Sequence, residues 1–218
     1  MNELYIASIR TLDDPVFYKQ AYDAMTIQRK EKIDRYHGSD DKKRSMASEL
    51  LIKEALNSKG YELDELVYEF GPYGKPYLLN CPDFHFSLSH SNDYVILAVS
   101  DEQIGCDIEK LRKYDLNVAK RFFTVKEYQE LLNCENEEER KKLFFRLWTM
   151  KESYVKYTGE GLSCPLDSFL IETDADGNRI INKDNKTLFL SESDILNDYC
   201  ISVCSPDKQF ETRIINLK

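Results

Sequence analysis

The alternation of apolar and polar residues from Phe84 to Glu109 restricts the fold more than any other feature of the chain. In "DFHFSLSHSNDYVILAVS", Phe84, Phe86 and Leu88 alternate with His85, Ser87 and Ser89. A period of two belongs to a strand, whose successive side chains point to opposite faces. Ser91, Asn92 and Asp93 supply turn chemistry, and Tyr94 to Val99 runs back as the second arm of a hairpin. "QIGCDIEK", Gln103 to Lys110, then reads as a third strand, with Ile104, Cys106 and Ile108 on one face and Gly105, Asp107 and Glu109 on the other.

Around these strands the spacing predicts helices. One is expected over 15–36, with Pro15 near its start, and one over "SDDKKRSMASELLIKEALNSKG", with Ser39 as N-cap and Gly60 as its stop. "DLNVAKRFFTVKEYQELL" reads as a helix broken at Thr124, where Thr124-x-x-Glu127 forms a capping box. "ENEEERKKLFFRLWTMKESYVKYTGEG" reads as a long helix closed by Gly159 and Gly161. Residues 3–9 read as a first strand, "FGPYGKPYL" as a turn-rich loop, and the end of the chain as short strands. Within that end, "DADGN" (174–178) is a hairpin turn, because the Glu required at the twelfth position of a calcium loop is absent. These elements make an α/β (α+β) protein whose second half begins near residue 103, with no long linker and no evident short repeat.

Asp107 and Glu109 pose a chemical question. Side chains two apart on a strand point the same way, roughly 6–7 Å apart. Two ionised carboxylates there repel by roughly 2–3 kcal/mol at an effective dielectric near 20. Either this face is solvated, or a cation stands between them.

The long helix supplies partners for the second reading. Leu143, Leu147, Met150, Tyr154 and Tyr157 make a core stripe, and Trp148, Glu152 and Lys156 run four apart beside it. Glu152 and Lys156 form an ordinary surface ion pair, or they aim a third carboxylate and a lysine at one site. Three carboxylates suit Mg²⁺, which keeps several waters and takes further ligands from substrate phosphates.

Composition narrows the classes. With 42% hydrophobic and 32% charged residues, the 218-residue chain is that of a soluble globular protein, and no apolar run reaches a membrane span. The N-terminus "MNELYIASIR" lacks a secretory pattern, and the six cysteines form no CxxC pair, so reduced thiols in a cytoplasm are expected. The histidines and cysteines give no zinc pattern. A net charge of −9 argues against a nucleic-acid binder, yet "RKEKIDRYHGSDDKKRS" (29–45) is locally basic. That stretch suits a small phosphorylated ligand, or is a solvated helix face.

"IGCDIEK" (104–110) followed by "LWTMKESYVKYTGEGL" (147–162) resembles the motif pair of the Sfp-type 4′-phosphopantetheinyl transferases, the family that activates surfactin synthetase and similar assembly lines. "YGKP" (73–76), "FSLSHS" (86–91), "AKRFFTVKEY" (119–128) and "GLSCPLDSF" (161–169) extend the resemblance in family order. It implies two similar α/β halves related by pseudo-twofold symmetry, 1–102 and 103–218, with coenzyme A in the cleft between them. It also implies transfer of the phosphopantetheine arm to a serine of an apo carrier protein of peptide, polyketide or fatty-acid synthesis, releasing adenosine 3′,5′-bisphosphate.

Carried over by position, Asp107, Glu109 and Glu152 match the family's Mg²⁺ ligands, with Asp107 also beside the cofactor. Lys156 matches the lysine near the pyrophosphate of coenzyme A. Ser89 and His90 match a phosphate-contacting pair, and Gly74, Lys75 and Pro76 the loop around the adenine and phosphate end. Lys32, Arg44 and Ser45 match the 3′-phosphate region. Arg29 stands where the family often has lysine. Glu127 is the first candidate for the base that takes the serine proton, with Glu152 or a metal-bound water as alternatives. Trp148 and Lys151 read as packing and electrostatic support, and Cys106 as a core thiol.

Unlike the shorter carrier-protein synthases, which build their site between subunits, this chain is long enough to act as a monomer. The competing reading from another class is a non-catalytic module that holds coenzyme A or docks a carrier. It predicts loss of a metal carboxylate or of the helix lysine, and all are present.

Overall fold

The computed structural model describes residues 1–61, 66–183 and 185–218. Strand β1 (Asn2–Ser8) is followed by helices α1 (Pro15–Asp23), α2 (Ile27–Arg35) and α3 (Ser39–Ser58), then by a small hairpin of β2 (Tyr68–Phe70) and β3 (Pro76–Leu78). Strands β4 (His85–Ser91), β5 (Tyr94–Ser100) and β6 (Gly105–Lys110) come next. Helices α4 (Leu116–Phe122), α5 (Val125–Asn133) and α6 (Glu137–Thr158) lead into β7 (Glu172–Thr173), β8 (Arg179–Lys183), β9 (Lys186–Glu192), β10 (Tyr199–Ser205) and β11 (Phe210–Ile215).

The helix expected over 15–36 is two helices. Thr26 takes an extended backbone and its hydroxyl caps Arg29 N, which starts α2 afresh. Ser39 is the first residue of α3 rather than its cap, and Gly38 stands at the N-cap with no side-chain bond. The break at Thr124 is as expected, with both halves of the capping box formed. Gly159, at φ +73°, ends α6 in the left-handed region. The 174–178 segment is a turn between β7 and β8, where Asp174 accepts from Asp176 N and Asn178 N.

Two sheets carry the architecture, with strand orders β11-β1-β5-β4 and β6-β10-β9-β8-β7. Within them one arrangement occurs twice. A strand, three helices and a later hairpin fold so that the second arm of the hairpin pairs antiparallel with the first strand: β1-β5-β4, then β6-β10-β9. The last strand, β11, leaves the second sheet and pairs in parallel with β1 of the first.

Strand alternation sorts the core into three layers. Tyr5, Val95, Leu97 and Val99 face α3, where they meet Met46, Leu51 and Ile52. Leu4, Ile6, Ile96 and Ala98 point the other way, against Cys106, Ile108, Ile201 and Val203 of the second sheet. The far face of that sheet, with Leu188, Leu190, Cys200 and Cys204, packs on Leu147, Met150 and Tyr154 of α6. The stack is therefore helix, sheet, sheet, helix, and the predicted apolar face of 104–108 is the face that joins the two sheets.

Candidate functional site

Strands β4 and β6 meet where the two sheets abut, and serines connect them. Ser87 Oγ accepts from Cys106 N at 3.0 Å and Ser91 Oγ from Lys110 N at 3.1 Å. Both pairs are separated by 19 residues, so the strands run parallel. The polar side of an alternating strand ordinarily faces water. Here Ser87, Ser89 and Ser91 are buried, and their hydroxyls satisfy backbone and carboxylate groups of the neighbouring strand. Ser87 and Ser91 carry this junction although the sequence reading placed Ser87 only on a strand face and Ser91 in the turn; Ser91 is the last residue of β4, and the strict serine alternation in "FSLSHS" was the available signal.

The same contact places the carboxylates. Ser89 Oγ donates to Asp107 Oδ1 at 2.7 Å, and Ser91 Oγ to Glu109 Oε2 at 3.0 Å. From α6, Lys156 Nζ reaches both Ser89 Oγ and Asp107 Oδ1 at 2.7 Å. Asp107 Oδ2 is buried without a hydrogen-bond partner. Glu152 lies one helical turn before Lys156, on the cleft wall. Burial raises the Glu152 pKa above the usual carboxylate range, and the charges of Asp107 and Glu109 raise it further. Burial likewise raises Glu109, although Arg112 pairs with it at 3.0 Å. The solvated-face reading of Asp107 and Glu109 thus fails: Asp107 is buried and Glu109 half-buried.

Gly105 explains how close β6 comes to α6. A Cβ built there would stand 2.0 Å from Ser153 O and 2.4 Å from Tyr157 N, both backbone atoms. Only glycine lets the strand rest on the helix backbone, and that approach brings Asp107 within reach of Lys156.

A cleft of about 970 Å³ opens above this junction. At one end α2 and α3 contribute Lys32, Arg44 and Ser45, with His90 from β4 beside them. Arg44 donates to Asn92 O at 2.8 Å and pairs with Asp41 at 2.6 Å, while its Nε and the Ser45 hydroxyl are buried without partners. Burial and the neighbouring Arg29 charge lower the Lys32 pKa; it has no ion-pair partner among the described residues. His90 stays exposed at the cleft, yet partial desolvation there lowers its pKa, and the charges of Arg44 and Lys156 lower it further. This end is a cationic pocket with unused donors.

Arg29 stands where the resemblance implies a cofactor-binding cation. It lines the cleft, but its Nε is paired with the wholly buried Glu49 at 2.7 Å and its guanidinium lies 5.2 Å from the centre of the Tyr68 ring. Its charge is largely spent on Glu49, a residue the sequence reading did not single out.

The loop before β3 forms the rim. Gly74 has φ +87°, which turns the chain, and Pro76 begins β3 at the cleft edge. Lys75 bends away from the cationic pocket. Its Nζ donates to Ile104 O at 3.0 Å and Tyr157 O at 3.3 Å. With no carboxylate paired to it among the described residues, burial lowers its pKa to about 8. At the opposite end, Phe122, Trp148, Val155 and Leu166 make an apolar wall, with Trp148 stacked on Phe144.

Glu127 is not at the site, which corrects its place as first candidate for the base. It is 1% exposed, and its carboxylate accepts from Thr124 N at 2.8 Å and Ile171 N at 2.9 Å. It also pairs with Lys151 at 2.8 Å. Lys151 in turn donates to Leu166 O and Phe169 O, which agrees with its expected supporting role. Both carboxylate oxygens of Glu127 are engaged in holding α5, α6 and the 166–171 segment together.

The donor set fits a hard divalent cation in kind: oxygen only, net negative, with one buried orphan oxygen on Asp107. The three carboxylates are not gathered into a coordination shell, and no group of three metal-ligating side chains at such distances occurs among the described residues. Lys156 occupies Asp107 Oδ1 and Arg112 occupies Glu109.

A family model described as 4′-phosphopantetheinyl transferase superfamily matches residues 103–204, and one described as 4′-phosphopantetheinyl transferase, N-terminal, matches residues 15–102. A 4′-phosphopantetheinyl transferase of Bacillus subtilis is 36% identical over 191 residues, covering 86% of this chain and 84% of the relative. 4′-phosphopantetheinyl transferase Sfp of B. subtilis strain 168 is 35% identical, covering 84% of this chain and 83% of its own. 4′-phosphopantetheinyl transferase psf-1 of Bacillus pumilus is 34% identical, covering 80% and 76%.

Proposed function

Since the chain belongs to the 4′-phosphopantetheinyl transferase family, we infer that it moves the 4′-phosphopantetheine arm of coenzyme A onto a serine of an apo carrier protein. The observation that carries this reading is the junction at Lys156. It lines one cleft with Lys32, Arg44, Ser45, His90 and Glu152, and its ammonium reaches down to Asp107 of β6, two residues before Glu109.

In this reading the carrier serine Oγ forms a bond to the phosphorus next to the pantetheine, and the phosphorus–oxygen bond to the adenosine bisphosphate breaks. Arg44, Lys32 and His90, with the free Ser45 hydroxyl, receive the 3′-phosphate end. The Gly74–Pro76 backbone borders the adenine. Lys156 swings from Asp107 to the pyrophosphate and stabilises the charge that builds on the leaving group. Asp107, Glu109 and Glu152 would hold Mg²⁺, which when bound supplies positive charge to the same pyrophosphate. Glu152, on the cleft wall one turn from Lys156, is the carboxylate placed to take the serine proton. The apolar wall of Phe122, Trp148 and Leu166 borders the path of the arm.

All of these residues come from one chain, which supports a monomer. The six cysteines are free, which supports a reducing cytoplasm, and no helix among the described residues is long and apolar enough to cross a membrane. The resemblance to the Sfp-type enzymes favours carriers of peptide or polyketide assembly lines, and the carrier of fatty-acid synthesis, as acceptors. Division of the chain into halves 1–102 and 103–218, with β11 returned to the first, is the domain arrangement we propose.

The test is mass spectrometry of an apo carrier protein incubated with this protein, coenzyme A and Mg²⁺. We expect one phosphopantetheinyl group added per carrier, and none with EDTA. Tight coenzyme A binding without transfer to any of several carriers would favour the non-catalytic module instead.

A further inference from the structure

We propose that Lys75 is a positioning residue: it couples the rim loop of the first half to the joint between β6 and α6, and so sets the spacing of Asp107 from Glu152 and Lys156. The inference rests on the function proposed above.

The last carbonyls of a helix have no partner within the helix, and cations are favourable there. Tyr157 O, in the last turn of α6, receives two side-chain donors: Lys75 Nζ at 3.3 Å and Gln103 Nε2 at 2.8 Å. The same Lys75 ammonium donates to Ile104 O at 3.0 Å, just before β6 begins. One side chain from the first half thus holds the end of α6 against the start of β6.

The joint it holds is a close backbone contact. Gly105, next to Ile104, is the residue whose added Cβ would collide with Ser153 O and Tyr157 N. The Lys75 stem lies over Gly159, where a Cβ would sit 3.3 Å from Lys75 Cδ, and Gly161 adjoins Tyr73 of the same loop. The rim loop is therefore seated on the turn that ends α6. Asp107 lies two residues beyond Gly105, and Lys156 directly precedes Tyr157, so movement at this joint changes the Asp107–Lys156 spacing first.

Lys75 is thereby committed to carbonyls of the second half and not to an anion in the cationic pocket. The two roles predict different phenotypes. A phosphate contact contributes to affinity for the 3′-phosphate, whereas a positioning contact contributes to turnover and to the help that Mg²⁺ gives to binding.

The experiment compares wild type with Lys75→Met, which keeps the stem and removes the donors, and with Gln103→Ala, which removes the second donor from the same carbonyl. Three quantities are read: kcat for carrier modification, the Kd ratio of coenzyme A to 3′-dephospho-coenzyme A, and the Kd of coenzyme A with and without Mg²⁺. We expect Lys75→Met to lower kcat about tenfold and to weaken the Mg²⁺ effect, with the dephospho ratio unchanged within about twofold. Gln103→Ala should shift the same quantities less, and Lys75→Arg should restore part of the loss. The double variant should fall short of the sum of the singles, since both act on Tyr157 O.

A collapse of the dephospho ratio in Lys75→Met would overturn the proposal and make Lys75 a phosphate ligand. A lower melting temperature with kcat and the Mg²⁺ effect intact would overturn it in favour of a purely architectural contact. Wild type that binds coenzyme A but modifies no carrier would refute the transferase reading, while the two binding measurements still decide the role of Lys75. Wild type that does not bind coenzyme A would refute both.

Discussion

Lys156 donates to Asp107 Oδ1 at 2.7 Å while the other oxygen of that carboxylate is buried with no partner. Burial alone would lower the lysine's pKa, but the Asp107 charge turns the shift upward, so the ammonium remains charged in its cavity. The lysine thus holds the carboxylate half-neutralised. A ligand bringing its own cation has one oxygen waiting and one to exchange.

Removing the centre of that arrangement should remove activity. Asp107→Ala is expected to lower transfer by about a hundredfold or more, the scale on which transition-state electrostatics are lost. Carrier mass spectrometry over a time course measures it, and turnover near the wild-type rate would sink the assignment of Asp107.

Glu127 should behave as a structural group. Breaking a buried ion pair leaves an uncompensated charge, and Glu127→Ala should cost about 3–5 kcal/mol of stability by abandoning Lys151. Urea titration reads that loss directly. Transfer by the folded fraction should survive at low temperature; a variant that is fully folded but inactive would restore Glu127 as a base.

The raised carboxylates give a pH dependence with a definite sign. Glu152 binds its proton more tightly in the fold than in the unfolded chain, mainly through burial and then through Asp107 and Glu109. Where the folded form holds more protons, stability falls as pH rises. The window runs from the ordinary Glu pKa of 4.5 up to the raised folded value. Metal-free Glu152→Gln should therefore melt higher than wild type above that window and lose its advantage below it. Melting curves of the two proteins across pH, with EDTA throughout, check this; an advantage independent of pH would contradict it.

Gly105→Ala tests the joint. The new methyl would have to displace backbone of α6, not the end of a flexible side chain. A loss of about 1–3 kcal/mol or more is expected, with activity falling further than stability because Asp107 moves away from Lys156. Wild-type stability and rate would show that β6 can retreat freely.

Much of this was legible in the chain. Residues 104–108 announced which strand face is apolar, and that face does join the sheets. Thr124 and Glu127 announced a capping box, and the box is formed. Yet the same Glu127 also suggested a catalytic base, because a motif position does not say what the second carboxylate oxygen touches. Lys151 and Ile171 N, brought up from later in the chain, decided that. The helix expected over 15–36 is two for a related reason: Thr26 is a weak interruption in sequence, and its hydroxyl becomes a stop only when it turns to cap Arg29.

The sequence by itself determined the local periods, the helix break at Thr124 and the stop at Gly159, the family and which residue types the site holds. These depend on neighbours a few positions apart, and such couplings are written in the order of residues. Tertiary structure alone decided how the charges are shared. Arg29 went to Glu49, Lys75 to two carbonyls and Lys156 to Asp107, three cations that look alike in one dimension. The physical reason is that a buried charge is settled by whichever opposite or dipolar group can be desolvated with it. For Lys75 and Lys156 those groups stand 29 to 82 residues away along the chain.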